Sequence, residues 1–240
     1  IYCKIIQLIW SDSMENKVDI LGFLIDKYSV DEMLEIVRRQ WDEQGLLTYG
    51  LITMNLLMAA REDEILANYI QSLDLSIIGE PEVLKAAKIE EEAMLQEVTN
   101  HEFLGAFFMY VINYGNTVFV LGETKEEADV LKKHLEETYE GLKIAASDFL
   151  CGETADGEDR VINEINSVSP EVILTCSQSL SMERFAVENR KKVNARIWMS
   201  LGSHANLQTE SGLKSNWLSK LLEKSTFKKM VARYNSEKGE

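Results

Sequence analysis

Proline is nearly absent: Pro81 and Pro170 are the only two in 240 residues, and no low-complexity tract divides the chain. Without a stiff or flexible linker, a single compact domain is expected. Cysteine is also scarce. Cys3, Cys151 and Cys176 are odd in number and lack metal-ligand spacing, which argues against a disulfide framework and for a reducing, cytoplasmic compartment. Three histidines exclude a His-rich metal centre, so neither a metal nor a cofactor is expected. Basic charge is short as well: 25 Lys/Arg against 40 Asp/Glu leave −15, which disfavours nucleic acid as a general partner. Long hydrophobic runs are missing. Ile5 to Trp10 is too short to span a bilayer, and no small-residue cleavage site follows it. Residues 1–16 therefore read as a leader of unknown status, within which Met14 is the better natural start.

What is present is the composition of a soluble globular protein, 45% hydrophobic and 27% charged. The most informative stretch runs from Thr117 to Lys132. Val118, Phe119, Val120 and Leu121 form a buried strand pattern that ends at Gly122. Thr124 and Glu127 then have capping-box spacing, and Ala128, Leu131 and Leu135 share one helical face. Strand, glycine turn and amphipathic helix make the first half of a βαβ unit. In doubly wound sheets such a turn faces the nucleotide, yet here the next residue is Glu123, whose carboxylate repels a diphosphate.

The same alternation fills the chain. Strands are expected over Val18–Leu24, Leu47–Met54, Asp74–Ile78, Leu142–Ala146, Glu171–Cys176 and Ala195–Leu201. Helices are expected from the Ser29–Glu32 capping box to about Glu43, over Leu56–Gln71, after Gly79–Glu82, and over Phe103–Asn113, Asp159–Val168 and Ser181–Lys192. Glu90 to Asn100 reads as loop-like at first, and Ala155 to Glu158 as a polar loop. The fold class is α/β: a Rossmann-like, mostly parallel sheet with helices on both faces and a C-terminal helical appendage. The body occupies 17–211 and the appendage 212–240. From Gly212 onward seven Lys/Arg stand against three Asp/Glu, leaving +4 there and −19 on the rest. Trp217, Leu221, Phe227, Met230, Val231 and Tyr234 fall at helical spacing among the lysines. Two roles stay open for 213–234: an amphipathic helix on an anionic membrane surface, or a helix packed on the body.

The order of these pieces resembles the WecG/TagA/CpsF glycosyltransferase family over about residues 17–236. The residues that carry the resemblance are Ile20-Leu21-Gly22, Ala60-Arg61-Glu62-Asp63, Leu73-Asp74-Leu75, Val118 to Gly122, Ile162 to Asn166, Pro170 to Ile173, Met182-Glu183-Arg184-Phe185 and Asn216 to Leu222. The resemblance implies transfer of a hexosamine or its uronic acid from a UDP-sugar to a polyprenol-linked acceptor in cell-wall and capsule assembly. It also implies a place at the inner face of the plasma membrane, and a homo-oligomer or a paralogous transferase as possible partner.

The family's polar signature is altered. Its Thr-Pro-Asn asparagine falls on Thr53, with Asn55 available after a shift of register. The Asp-Gly pair carrying the general base falls on Gly79-Glu80, which makes Glu80 the substitute base. The Gly-Gly after the central strand is Gly122-Glu123. The donor-holding glutamine of Gln-Glu-Lys-Trp falls on Met182, while Glu183, Arg184 and Phe185 keep similar types. The aspartate after the last strand is Asn206. The remaining ligand-binding candidates are Gln178 and Gly202. Each of these residues also suits a structural role: a dipole-favoured carboxylate for Glu80, an N-cap for Asn55, and turn or capping amides for Gln178 and Asn206. A general base needs a group that accepts a proton, and a diphosphate needs donors and positive charge. The expectation is therefore a family member whose catalysis is degenerate, acting as a binding or partner subunit. The alternative is an active, divergent transferase using Glu80.

Overall fold

The computed structural model describes residues 16–43, 45–150, 155–177, 179–202 and 217–239. The chain opens with β1 (Lys17–Ile20) and β2 (Phe23–Asp26), an antiparallel hairpin in place of the single strand expected over Val18–Leu24. Leu21 and Gly22 both have positive φ, 55° and 91°, so a two-residue turn reverses the chain. Asp19 accepts the Gly22 N–H at 2.9 Å and fixes that turn.

Alternation then follows: α1 (Val30–Gln40), β3 (Leu47–Ile52), α2 (Met54–Ala60), α3 (Glu64–Gln71), β4 (Leu75–Ile78), α4 (Pro81–Ala86), α5 (Glu92–Thr99), α6 (Glu102–Asn113), β5 (Thr117–Gly122), α7 (Lys125–Thr138), β6 (Lys143–Phe149), α8 (Ala155–Val168), β7 (Val172–Cys176), α9 (Ser181–Asn189), β8 (Ile197–Ser200) and α10 (Trp217–Lys238). Three expectations are corrected. The single helix over Leu56–Gln71 is two, because Asp63 turns out and accepts the N–H groups of Ile65 and Leu66 as the cap of α3. The acidic stretch after Glu90 is mostly the helix α5, and α8 starts at Ala155 instead of Asp159. Both capping boxes, Ser29/Glu32 and Thr124/Glu127, form as the spacing requires.

The six strands β3 to β8 make one sheet in the order β4-β3-β8-β7-β5-β6, with every pair parallel. Period-two alternation sends neighbouring residues to opposite faces. On β5, Phe119 and Leu121 join Trp198, Phe185, Ile165 and Tyr69 on one face; Val118 and Val120 join Met199, Phe107, Leu131 and Val37 on the other. Helices α3, α8 and α9 cover the first face, and α1, α6 and α7 the second. The hairpin is pinned beside β4: Asp26 Oδ2 accepts from Ser76 N–H at 2.9 Å and from its hydroxyl at 2.7 Å.

α10 docks on the body against α2 and α4. Phe227, 1% exposed, is its buried anchor. Lys224 pairs with Glu82 at 2.6 Å, and Lys238 with Asp19 at 3.1 Å. Tyr234 donates to the two Asp19 carboxylate oxygens at 3.1 and 3.0 Å, and the Arg61 guanidinium lies 5.7 Å from its ring centroid. Burial raises the Asp19 carboxyl, but the Gly22 N–H, Lys238 and Tyr234 outweigh it and hold the group below the usual range. Lys228, Lys229 and Arg233 remain exposed. Among the described residues no helix is long and apolar enough to cross a membrane.

Candidate functional site

Because all six strands point the same way, their carboxyl ends collect the loops after β3, β4, β5, β7 and β8 along one edge, where ligands bind in sheets of this kind. Most of the described candidate residues lie there, in two groups, one at β3/β4/β8 and one at β5/β7.

In the first group, Thr53 follows β3 and caps α2, accepting the Leu56 N–H at 3.2 Å. That gives the N-cap role to Thr53, not to Asn55, which lies inside the first turn of α2. Gly202 follows β8 at φ +67°, and a Cβ there would meet Thr53 Cγ2 at 3.4 Å. Gly79 lies against β3, its N–H donating to Ile52 O at 3.0 Å. Glu80 precedes Pro81 at the start of α4 but makes no capping bond to its own helix. Its side chain reaches across instead, and Oε2 accepts the Met54 N–H of α2 at 2.7 Å. Glu80 thus sits beside Thr53 and Asn55, with one oxygen committed to the positive end of α2.

The second group surrounds the turn after β5. Gly122 is required by close approach: a Cβ would stand 2.5 Å from Ala128 N and 2.8 Å from Thr124 O. The turn presents backbone N–H groups as a phosphate loop does, and those of residues 123, 124 and 127 are already used. Glu127 Oε2 accepts from Glu123 N–H and Thr124 N–H, both at 3.2 Å, while Thr124 Oγ1 accepts from Glu127 N–H. Glu123 stands over the same turn, and its Oε2 accepts the Ser179 hydroxyl at 2.7 Å, joining the loop after β5 to the loop after β7. Two carboxylates of the chain therefore stand at this turn, one on the amides of residues 123 and 124 and one clasped by Ser179.

Beneath the edge, the motif Met182-Glu183-Arg184-Phe185 has turned inward. Met182 is 0% exposed and belongs to the core. Arg184 pairs with Asp63 of the α3 cap, and Phe185 packs on Trp198 with ring centroids 5.7 Å apart. Glu183, 1% exposed, accepts the Ser200 hydroxyl at 2.6 Å on Oε1, and its Oε2 has no partner among the described residues. Burial pushes its carboxyl up and the charge of Glu123 adds to this, against the Ser200 bond. Burial, with Glu127 and Glu183 adding, also pushes the Cys176 thiol up to about 12, so it is not a nucleophile at neutral pH.

The structure thus gathers Thr53, Asn55, Glu80 and Gly202 toward the β4 end of the edge and Gly122 and Glu123 toward the β6 end, and it buries Met182 and Glu183 below. Gln178 and Asn206 lie outside the described residues. Ser179, Ser200 and Tyr69 escaped the sequence reading. None carries a local signal, since their partners are distant in the chain. Glu127 was legible as a cap, though not as the occupant of the anion seat. Among the described residues no group of three or more His, Cys, Asp or Glu is placed to hold a metal ion.

The chain matches the family model described as Glycosyl transferase WecG/TagA/CpsF family over residues 18–220. No curated protein matches it significantly. The family match spans most of the chain, and the chain belongs to that family.

Proposed function

We propose that this member of the WecG/TagA/CpsF glycosyltransferase family takes part in cell-envelope polysaccharide synthesis as a binding or partner subunit with little or no sugar transfer of its own. The observation that carries this reading is the self-occupied anion seat: Glu127 on the amides of residues 123 and 124, with Glu123 clasped by Ser179 above it. A UDP-sugar entering there has to displace one carboxylate and tolerate another. Two unit charges ~5 Å apart at an effective dielectric near 20 repel by about 3 kcal/mol, enough to cost two orders of magnitude in affinity. Calorimetry with UDP and UDP-N-acetylhexosamines is the direct test, and no heat of binding is the expected result.

One observation favours a second reading, an active transferase: Glu80 does reach the edge beside Thr53 and Asn55. If it is the base, Glu80→Gln abolishes transfer to a polyprenol-linked acceptor while circular dichroism stays unchanged. Turnover that survives the substitution eliminates that role. In either reading the exposed Lys228, Lys229 and Arg233 of α10 suit an anionic membrane surface at the inner face of the plasma membrane, or an acidic patch on a second transferase.

A further inference from the structure

Glu183 has a setting that neither reading uses. It lies in the first turn of α9, is fully buried, and leaves one carboxyl oxygen without a partner among the described residues. The groups that act on it come from every element around it. Ser200 of β8 donates its hydroxyl, Tyr69 of α3 presents a buried phenol, Cys176 ends β7, and Glu123 follows β5. None of these is a cation. Arg184, next in sequence, is turned to Asp63. Tyr69 cannot retreat easily, since its hydroxyl fills the space of a missing side chain: a Cβ on Gly50 would lie 2.6 Å from it. The same turn of chain carries Ser179, whose hydroxyl holds Glu123, and Ser177, which accepts the Met182 N–H at 3.5 Å.

We propose that the first turn of α9 is a proton-controlled latch on the β7–β8 side of the sheet edge, closed while Glu183 is neutral and released when Glu183 ionises. An ionised carboxylate in this setting faces the Ser200 hydroxyl, its own backbone N–H and the Tyr69 phenol, all neutral, together with a second carboxylate and an apolar core, and burial outweighs those donors, so the closed packing disfavours it. Solvating the charge requires the turn to lift from Ser200. Lifting it draws Ser179 away and breaks the Ser179–Glu123 clasp. The sign follows from the raised carboxyl: the closed state is favoured at low pH and lost as pH rises through the folded-state value. Proton linkage at one group sets the limiting steepness at about tenfold per pH unit.

The test is hydrogen exchange on the full chain, read by mass spectrometry between pH 6 and 9.5 and corrected for the intrinsic pH dependence of exchange. Protection of amides 179–186 is expected to fall with pH, approaching tenfold per unit, while amides of β5 stay constant. In Glu183→Gln, a neutral side chain of the same shape, the fall disappears. In Ser200→Ala, which removes the donor that favours the carboxylate, the fall moves to higher pH. Protection that does not change with pH in the native chain overturns the latch. A fall that persists unchanged in Glu183→Gln assigns it to another group and overturns it equally.

Discussion

Replacing Phe227 with alanine should detach α10 while the sheet stays folded. Among the described residues Phe227 is the side chain that α10 buries completely, at 1% exposure, where α10 packs on α2 and α4. Burying a phenylalanine contributes roughly 1.5–3 kcal/mol. The Lys224–Glu82 pair is part-exposed, 40% and 16% at the two side chains, and such pairs add about 0–1 kcal/mol. The Tyr234 hydroxyl on Asp19 is a charge-assisted bond near the surface, to which about 1 kcal/mol is assigned after discounting for solvent. Phe227 is therefore the largest of these three contributions, and losing about 1.5–3 kcal/mol raises the undocked population on the order of 10- to 150-fold. Hydrogen exchange of amides 222–238 reads this directly, with β5 amides as the internal reference. Tyr234→Phe should give a smaller effect, about fivefold for 1 kcal/mol. If Phe227→Ala leaves α10 protection unchanged, the helix is not held by that contact. If β5 exchange accelerates equally, α10 unfolds only with the whole domain, and the reasoning fails in the other direction.

Two further outcomes follow from named contacts. The hydrogen bond and charge of Arg184 hold the Asp63 carboxyl below the usual range, so their contribution is present above the unfolded value near 4 and lost as pH falls. Urea titrations of Asp63→Asn should show a deficit at pH 7 that narrows below about pH 4; a deficit that stays constant with pH would contradict this. Reversing Lys228, Lys229 and Arg233 to glutamate should abolish sedimentation with anionic liposomes at low salt and leave α10 docked, because all three side chains are exposed. Binding that survives this reversal removes the membrane role of that face.

Local patterns carried most of the fold. The capping boxes, the glycine turn after β5 and the period-two alternation of the strands depend on neighbours in sequence, and each formed where its spacing placed it. The failures were of two kinds. The hairpin was missed because Leu21, an apolar residue, occupies a positive-φ turn position that sequence normally gives to glycine or asparagine. The break between α2 and α3 was missed because Asp63 in Arg61-Glu62-Asp63-Glu64 looks like one more solvent-facing charge.

The site was less legible than the fold. Glu123 as an obstacle to diphosphate could be read from its place after Gly122, but its clasp to Ser179 spans 56 positions. The retained part of the Met182–Phe185 motif makes its contacts within the fold: Glu183 bonds Ser200, Arg184 bonds Asp63, and Phe185 packs on Trp198. Likeness of residue type there reflects packing and pairing across the core, which sequence spacing does not encode.

Calorimetric titration of UDP and of UDP-N-acetylhexosamines into the native chain, beside Glu123→Gly, tests the central claim most directly. The native chain should give no measurable binding, since Glu127 occupies the amides and Glu123 the space above them. The glycine variant removes about 3 kcal/mol of repulsion and should bind about 100-fold more tightly than the native chain does. Micromolar binding by the native chain would contradict the account.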